Sequence, residues 1–251
     1  MKRSSVVLAR CIAFVETYDL SPDGRVFFPD VVRELVARYE FQKFPKDYSE
    51  FDESKGIEFA EGRRGKDVIW RLAIFNTGIL IDTRLNTTLS REIVEEALLW
   101  AKEKFGLNYE PGMIKRCAYV SQVTFYSDGA LDMLNPVLKR ISNRVTEAVS
   151  ELQQTRIEYQ TTTFGIHHDP LNRKNGVAGF IVAPRAETPL SEHKYFSEAP
   201  VPTDLHWDLL EELETTLLGS PALTADLEDE NPGSPDAILR RKAEREEERR
   251  Q

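Results

Sequence analysis

Residues 57–85 read IEFAEGRRGKDVIWRLAIFNTGILIDTRL. Three apolar, β-branched and aromatic runs are separated by two short polar turns, Arg63-Arg64-Gly65-Lys66 and Asn76-Thr77-Gly78. Turns this short join antiparallel strands, because a parallel pair needs a crossover of a dozen or more residues. The stretch therefore predicts a meander with strands over 57–62, 67–75 and 79–85, and an antiparallel sheet.

The segments around the meander alternate between strand and helix signals. Ser5 to Tyr18 is rich in Val, Ile and Phe and ends at Ser21-Pro22-Asp23-Gly24, which predicts a long strand closed by a turn. Pro29 opens a helix whose Val31, Val32, Leu35, Val36 and Tyr39 recur at helical spacing. After the meander, Ser90 is the expected N-cap of a helix with Ile93, Val94, Ala97, Leu98, Ala101 and Phe105 on its buried stripe and Gly106 beyond its end. The second half predicts a strand over 113–126 and a helix from Pro136 through Leu152. Strands over 156–168 and 177–183 follow, then a proline-bounded strap over 184–202 and a last helix stopped by Gly219. The 136–152 helix carries Leu138, Ile141, Val145, Ala148, Val149 and Leu152 in a three-four repeat, which we expect to pack in the core.

The two halves show the same element order. Cys11 and Cys117 are 106 residues apart, and Pro29 and Pro136 are 107 apart. This pattern suggests an internal duplication: a β-α-β(n)-α unit used twice, with possible halves 1–110 and 111–219. The expected fold class is α+β, a large curved antiparallel sheet with helices on one face. It is similar, as a fold-level analogy, to the TATA-binding-protein-like and helix-grip architectures. Such folds host unrelated functions, so no activity follows from the analogy. The body is expected to span 1–219. Residues 220–235 read as an acidic flexible linker, and 236–251 as a charged tail with helix potential but no apolar stripe.

Composition narrows the function classes. The chain has 251 residues, 41% hydrophobic and 30% charged, with a formal net charge of -9. Such a balance supports a sizeable core and disfavours nucleic acid as a partner. Residues 220–251 hold 6 basic and 9 acidic residues, so the body is acidic too. Arg10 and Glu16 interrupt the N-terminal apolar run, and no window reaches the ~20 apolar residues of a membrane span. The expected location is the cytoplasm, with Cys11 and Cys117 as two free, buried thiols.

No motif names an activity. His167-His168-Asp169 is the candidate catalytic cluster, but neighbouring residues of a strand point to opposite faces, so convergence requires the strand to break at Asp169-Pro170. His193 and His206 offer no metal-binding spacing with His167, and no metal or cofactor is expected. Asp82 and Arg84 are expected to form an ion pair at a strand end. Candidate binding residues are the aromatics Tyr195 and Phe196 in the strap and the basic turns holding Arg63, Arg64, Arg173 and Lys174. The leading expectation is a non-enzymatic binding or assembly protein acting through protein contacts or self-association. The alternative is a small-ligand binder or hydrolase-like enzyme with a site near His167, His168 and Asp169, between sheet and helix.

Overall fold

A computed structural model describes residues 1–24, 26–52, 54–131, 136–169 and 178–219. The chain divides into two compact units. The first comprises Met1–Ser127 with Thr163–Leu210, and the second Asp128–Thr162 with Glu211–Gln251.

The first unit contains one eight-stranded antiparallel sheet. Its strands are β1 (Lys2–Phe14), β2 (Ile57–Arg64), β3 (Asp67–Phe75), β4 (Gly78–Thr83), β5 (Arg116–Tyr126), β6 (Phe164–Ile166), β7 (Phe180–Pro184) and β8 (Lys194–Ala199). The order across the sheet is β2-β3-β4-β1-β5-β8-β7-β6, and every pairing is antiparallel. The order is the same read outward from the central β1–β5 pair in either direction: first strand of each half, then last, middle and second. The meander is present, with β2 running on through Arg64 so that Gly65 and Lys66 make its first turn, and with β4 ending at Thr83. Its turn into β4 requires Gly78, where a Cβ would lie 2.6 Å from the Ala13 carbonyl oxygen.

Among the described residues the helices of this unit are α1 (Thr17–Leu20), α2 (Phe28–Tyr39), α3 (Thr87–Phe105) and the first turns of α5 (Thr203–Gly219). α2, α3 and the start of α5 lie on one face of the sheet. α2 contributes Val31, Val32, Leu35 and Tyr39 to the core, and α3 contributes Ile93, Val94, Ala97 and Leu98. They meet Ala13, Ile57, Phe59, Leu72, Ile79 and Ile81 from the strands. Removing these apolar groups from water is the main favourable term in folding. Pro at the start of α2 and Gly106 in the left-handed conformation at the end of α3 match the sequence expectation. The cap of α3 does not. Asn86 is the N-cap, its Oδ1 accepting from the Leu89 backbone N–H at 2.7 Å. Ser90 sits one turn inside, buried, and its hydroxyl donates to the Ala9 carbonyl at 2.8 Å.

The helix-free face carries polar pairs between neighbouring strands. Arg71 pairs with Glu58, Arg10 with Asp82, and Gln122 donates to Glu198 at 2.6 Å. Asp82 therefore pairs across to β1. Arg84 instead lies over the Trp70 ring, 3.8 Å from its centroid. The expected Asp82–Arg84 ion pair is thus replaced by a cross-strand pair and a cation–π contact.

Two further expectations are revised. Residues 184–202 are not a strap along their length: Lys194–Ala199 forms β8, paired on both sides by β5 and β7. Residues 156–163 are not a strand. Of these, 156–162 belong with α4 (Pro136–Gln153) in the second unit. Thr146 and Ser150 of α4 bond the backbone of Tyr159 and Ile157, each through both its N–H and its carbonyl. The α4 stripe expected in the core is exposed at Leu138, Ile141, Val145 and Leu152. The expected linker and tail, residues 220–251, lie outside the described residues.

Candidate binding cavity

α1, α2, α3 and the core face of the sheet line a half-open cavity of about 490 Å3 in the first unit. Its walls are Val31 and Leu35 from α2, Ala97, Leu98, Trp100 and Ala101 from α3, and Leu72, Ile74 and Ile79 from the sheet. The space has a plain cause. α3 presents alanine at positions 97 and 101, one turn apart, where larger residues would close the gap to α2.

The mouth is polar. Thr17 donates its backbone N–H and its hydroxyl to the Asn76 carbonyl, at 2.9 and 3.2 Å. This ties α1 to the β3–β4 turn. Ser21, Asn76 and Glu16 line the same rim, and Tyr18 stands beside them, 73% exposed. Glu16 is the one charged residue among the described lining residues. The cavity is thus an apolar chamber with hydrogen-bonding groups and a negative charge at its entrance. Its size falls within the range of small-molecule sites, roughly 300–1,000 Å3.

A second polar group lies under α5. His206 is 0% exposed. Its Nε2 lies 2.8 Å from the Ser197 Oγ and its Nδ1 lies 3.0 Å from the Ser121 Oγ. The Ser197 hydroxyl donates to the Ile181 carbonyl at 2.8 Å, so it accepts from His206 Nε2–H. Nδ1 then accepts from the Ser121 hydroxyl. Burial lowers the His206 pKa to about 4, which keeps the ring neutral. Both serines are also 0% exposed, so the cluster joins β5, β7, β8 and α5 as a structural network.

Cys11 and Cys117 are free and meet in a thiol–thiol contact on the core face of β1 and β5. That contact and burial raise the Cys11 pKa. The Cys11 hydrogen bond, helped by the Tyr119 hydroxyl and by Arg91, lowers the Cys117 pKa.

The residues singled out from sequence lie apart from the cavity. His167, His168 and Asp169 are exposed. The His167 ring lies against the backbones of Gly165 and Gly179, while His168 Nδ1 approaches the Asp169 carbonyl at 3.0 Å. The two imidazoles therefore have different neighbours, and no group of three His, Cys, Asp or Glu among the described residues is placed to hold a metal. Tyr195 is buried on the core face of β8 against Phe125, with ring centroids 5.7 Å apart, and Phe196 is half-buried on the other face. Arg64 is committed to Glu96, its Nε donating at 2.6 Å, whereas Arg63 is exposed at the end of β2. Arg173 and Lys174 lie outside the described residues. No described helix is long and apolar enough to cross a membrane.

Sequence reasoning missed both the cavity and the serine–histidine network. The signal for the first was present as Ala97 and Ala101 on one buried helical stripe. In comparisons with known proteins, the chain matches no protein-family model and no curated protein.

Proposed function

We propose that the protein binds a small, neutral, predominantly apolar molecule in the chamber between α2, α3 and the sheet. The observation that carries this reading is the 490 Å3 cavity, whose walls are apolar and whose polar groups gather at one end. A neutral ligand is favoured because Glu16 at the rim repels a carboxylate or phosphate, while Ser21 and Asn76 offer hydrogen bonds to a hydroxyl, ester or amide. Relative to the expectation of a site near His167, His168 and Asp169, the proposed site moves to the first half of the chain. The two free thiols fit a reducing compartment such as the cytoplasm.

The test is binding of a neutral lipophilic dye, with Trp100 emission as an internal reporter because the ring lines the cavity. Saturable binding with a change in Trp100 emission is the expected result. Ala101→Phe, which fills the chamber, should abolish binding while leaving the far-ultraviolet circular dichroism unchanged. Equal binding by Ala101→Phe, or no uptake of neutral apolar probes by the unmodified protein, would remove the reading.

A further inference from the structure

The exposed apolar stripe of α4 has a specific physical problem. Leu138 is 42% exposed, Ile141 51%, Val145 38% and Leu152 79%. Together with Ala148, also exposed, they repeat at spacings of three and four over two heptads. This is the narrow seam by which helices pair with helices. The stripes of α2 and α3, by contrast, are buried in the core.

One flank of the seam is occupied by the chain itself, since Thr146 and Ser150 bond the returning segment at Ile157 and Tyr159. The other flank carries Arg140, Arg144, Glu147 and Glu151. Their order is unfavourable for a solitary helix in two ways. The arginines lie toward the N-terminus and the glutamates toward the C-terminus, opposite to what the helix dipole prefers. The like charges also sit four residues apart, 140 with 144 and 147 with 151, where they repel within the helix.

An antiparallel copy offsets both disadvantages in part. In that arrangement the basic half of one helix faces the acidic half of the other. With Val145 opposite Ala148 and Ile141 opposite Leu152, Arg144 of each copy faces Glu151 of its mate on the open flank. A parallel pairing places like halves together and leaves the repulsion in place. We propose that α4 is a self-association element that pairs antiparallel with α4 of a second copy of this chain through Ile141, Val145, Ala148 and Leu152. Two heptads make a small interface, at or below about 1,200 Å2, so the association is reversible and dependent on concentration.

The experiment is sedimentation of the full chain from micromolar to millimolar concentration, at low salt. The expected result is a monomer–dimer equilibrium. Ile141→Asp should abolish it, and because Ile141 is exposed the circular dichroism should be retained. Arg144→Glu places two glutamates opposite Glu151 at two symmetric points and should weaken association about tenfold. Combining Arg144→Glu with Glu151→Arg should restore it. A monomer at millimolar concentration overturns the proposal. So does an Arg144→Glu variant that dimerises normally, or a double variant that stays as weak as the single one. None of these outcomes bears on dye binding in the α2–α3 cavity.

Discussion

Arg10 and Asp82 face each other directly across β1 and β4 and form a two-pronged ion pair, Nε to Oδ1 at 2.7 Å and Nη2 to Oδ2 at 2.8 Å. Asp82 is 4% exposed, although it lies on the helix-free face of the sheet. Removing one partner leaves the other charge poorly hydrated. Asp82→Ala should cost about 2–3 kcal/mol, discounted for the partial exposure of Arg10, and chemical denaturation will measure it. Arg10→Met combined with Asp82→Leu should recover most of the loss.

His206 makes stability depend on pH with a definite sign. Its folded pKa is about 4, below the ordinary value of about 6.5 for an unfolded chain. Between those values the unfolded chain takes up a proton that the folded one refuses. The contribution is therefore complete above about pH 6.5 and is lost as pH falls toward 4, by about 3 kcal/mol in total. His206→Gln, which keeps a hydrogen-bonding group between the two serines, should flatten this part of the curve. An unchanged slope in that variant would refute the assignment.

The two thiols should differ in reactivity. Cys117 is half-buried and its pKa is lowered by the Cys11 thiol, whereas Cys11 is fully buried with a raised pKa. Iodoacetamide should modify Cys117 first, at a lower pH than an ordinary thiol requires. Cys11 should react only on unfolding. Mass spectrometry of the timed reaction distinguishes them, and Cys117→Ser should eliminate the fast phase.

The N-terminus of α3 provides a contrast between neighbouring hydroxyl and amide groups. Asn86→Ala removes the cap and should cost about 1 kcal/mol. Its signature is faster amide exchange confined to the first turn, at Leu89 above all. Ser90→Ala should cost a similar amount through a different region, because the lost hydrogen bond anchors α3 to Ala9 of β1.

The sheet was legible because its turns are short and chemically explicit. Arg64-Gly65-Lys66 and Asn76-Thr77-Gly78 leave the flanking runs one way to pair. Helix starts marked by Pro29 and Pro136 were legible for a similar reason. The α3 cap was misplaced because Asn86, Thr87, Thr88 and Ser90 are all competent caps, and tertiary bonding to Ala9 claimed Ser90. Pro189, Pro200 and Pro202 concealed β8, which fits between them and alternates buried Tyr195, Ser197 and Ala199. The apolar period of α4 correctly gave a helix, but periodicity records which residues seek cover without saying what covers them. Ala97 and Ala101 marked a small-residue step on α3, but the void itself is a shortfall of volume among side chains from separate elements, which no single stretch of sequence displays.

The central β1–β5 pair has a further consequence. A chain cut near residue 110 would give two pieces, each ending its sheet at a long strand with unsatisfied backbone groups. β1 has 13 residues and β5 has 11, far more than the three of β6. The pieces would be mutually adhesive along those strands, and the intact protein avoids such adhesion only by keeping both on one polypeptide. The segment between α3 and β5 thus acts as a tether, raising the local concentration of each half for the other.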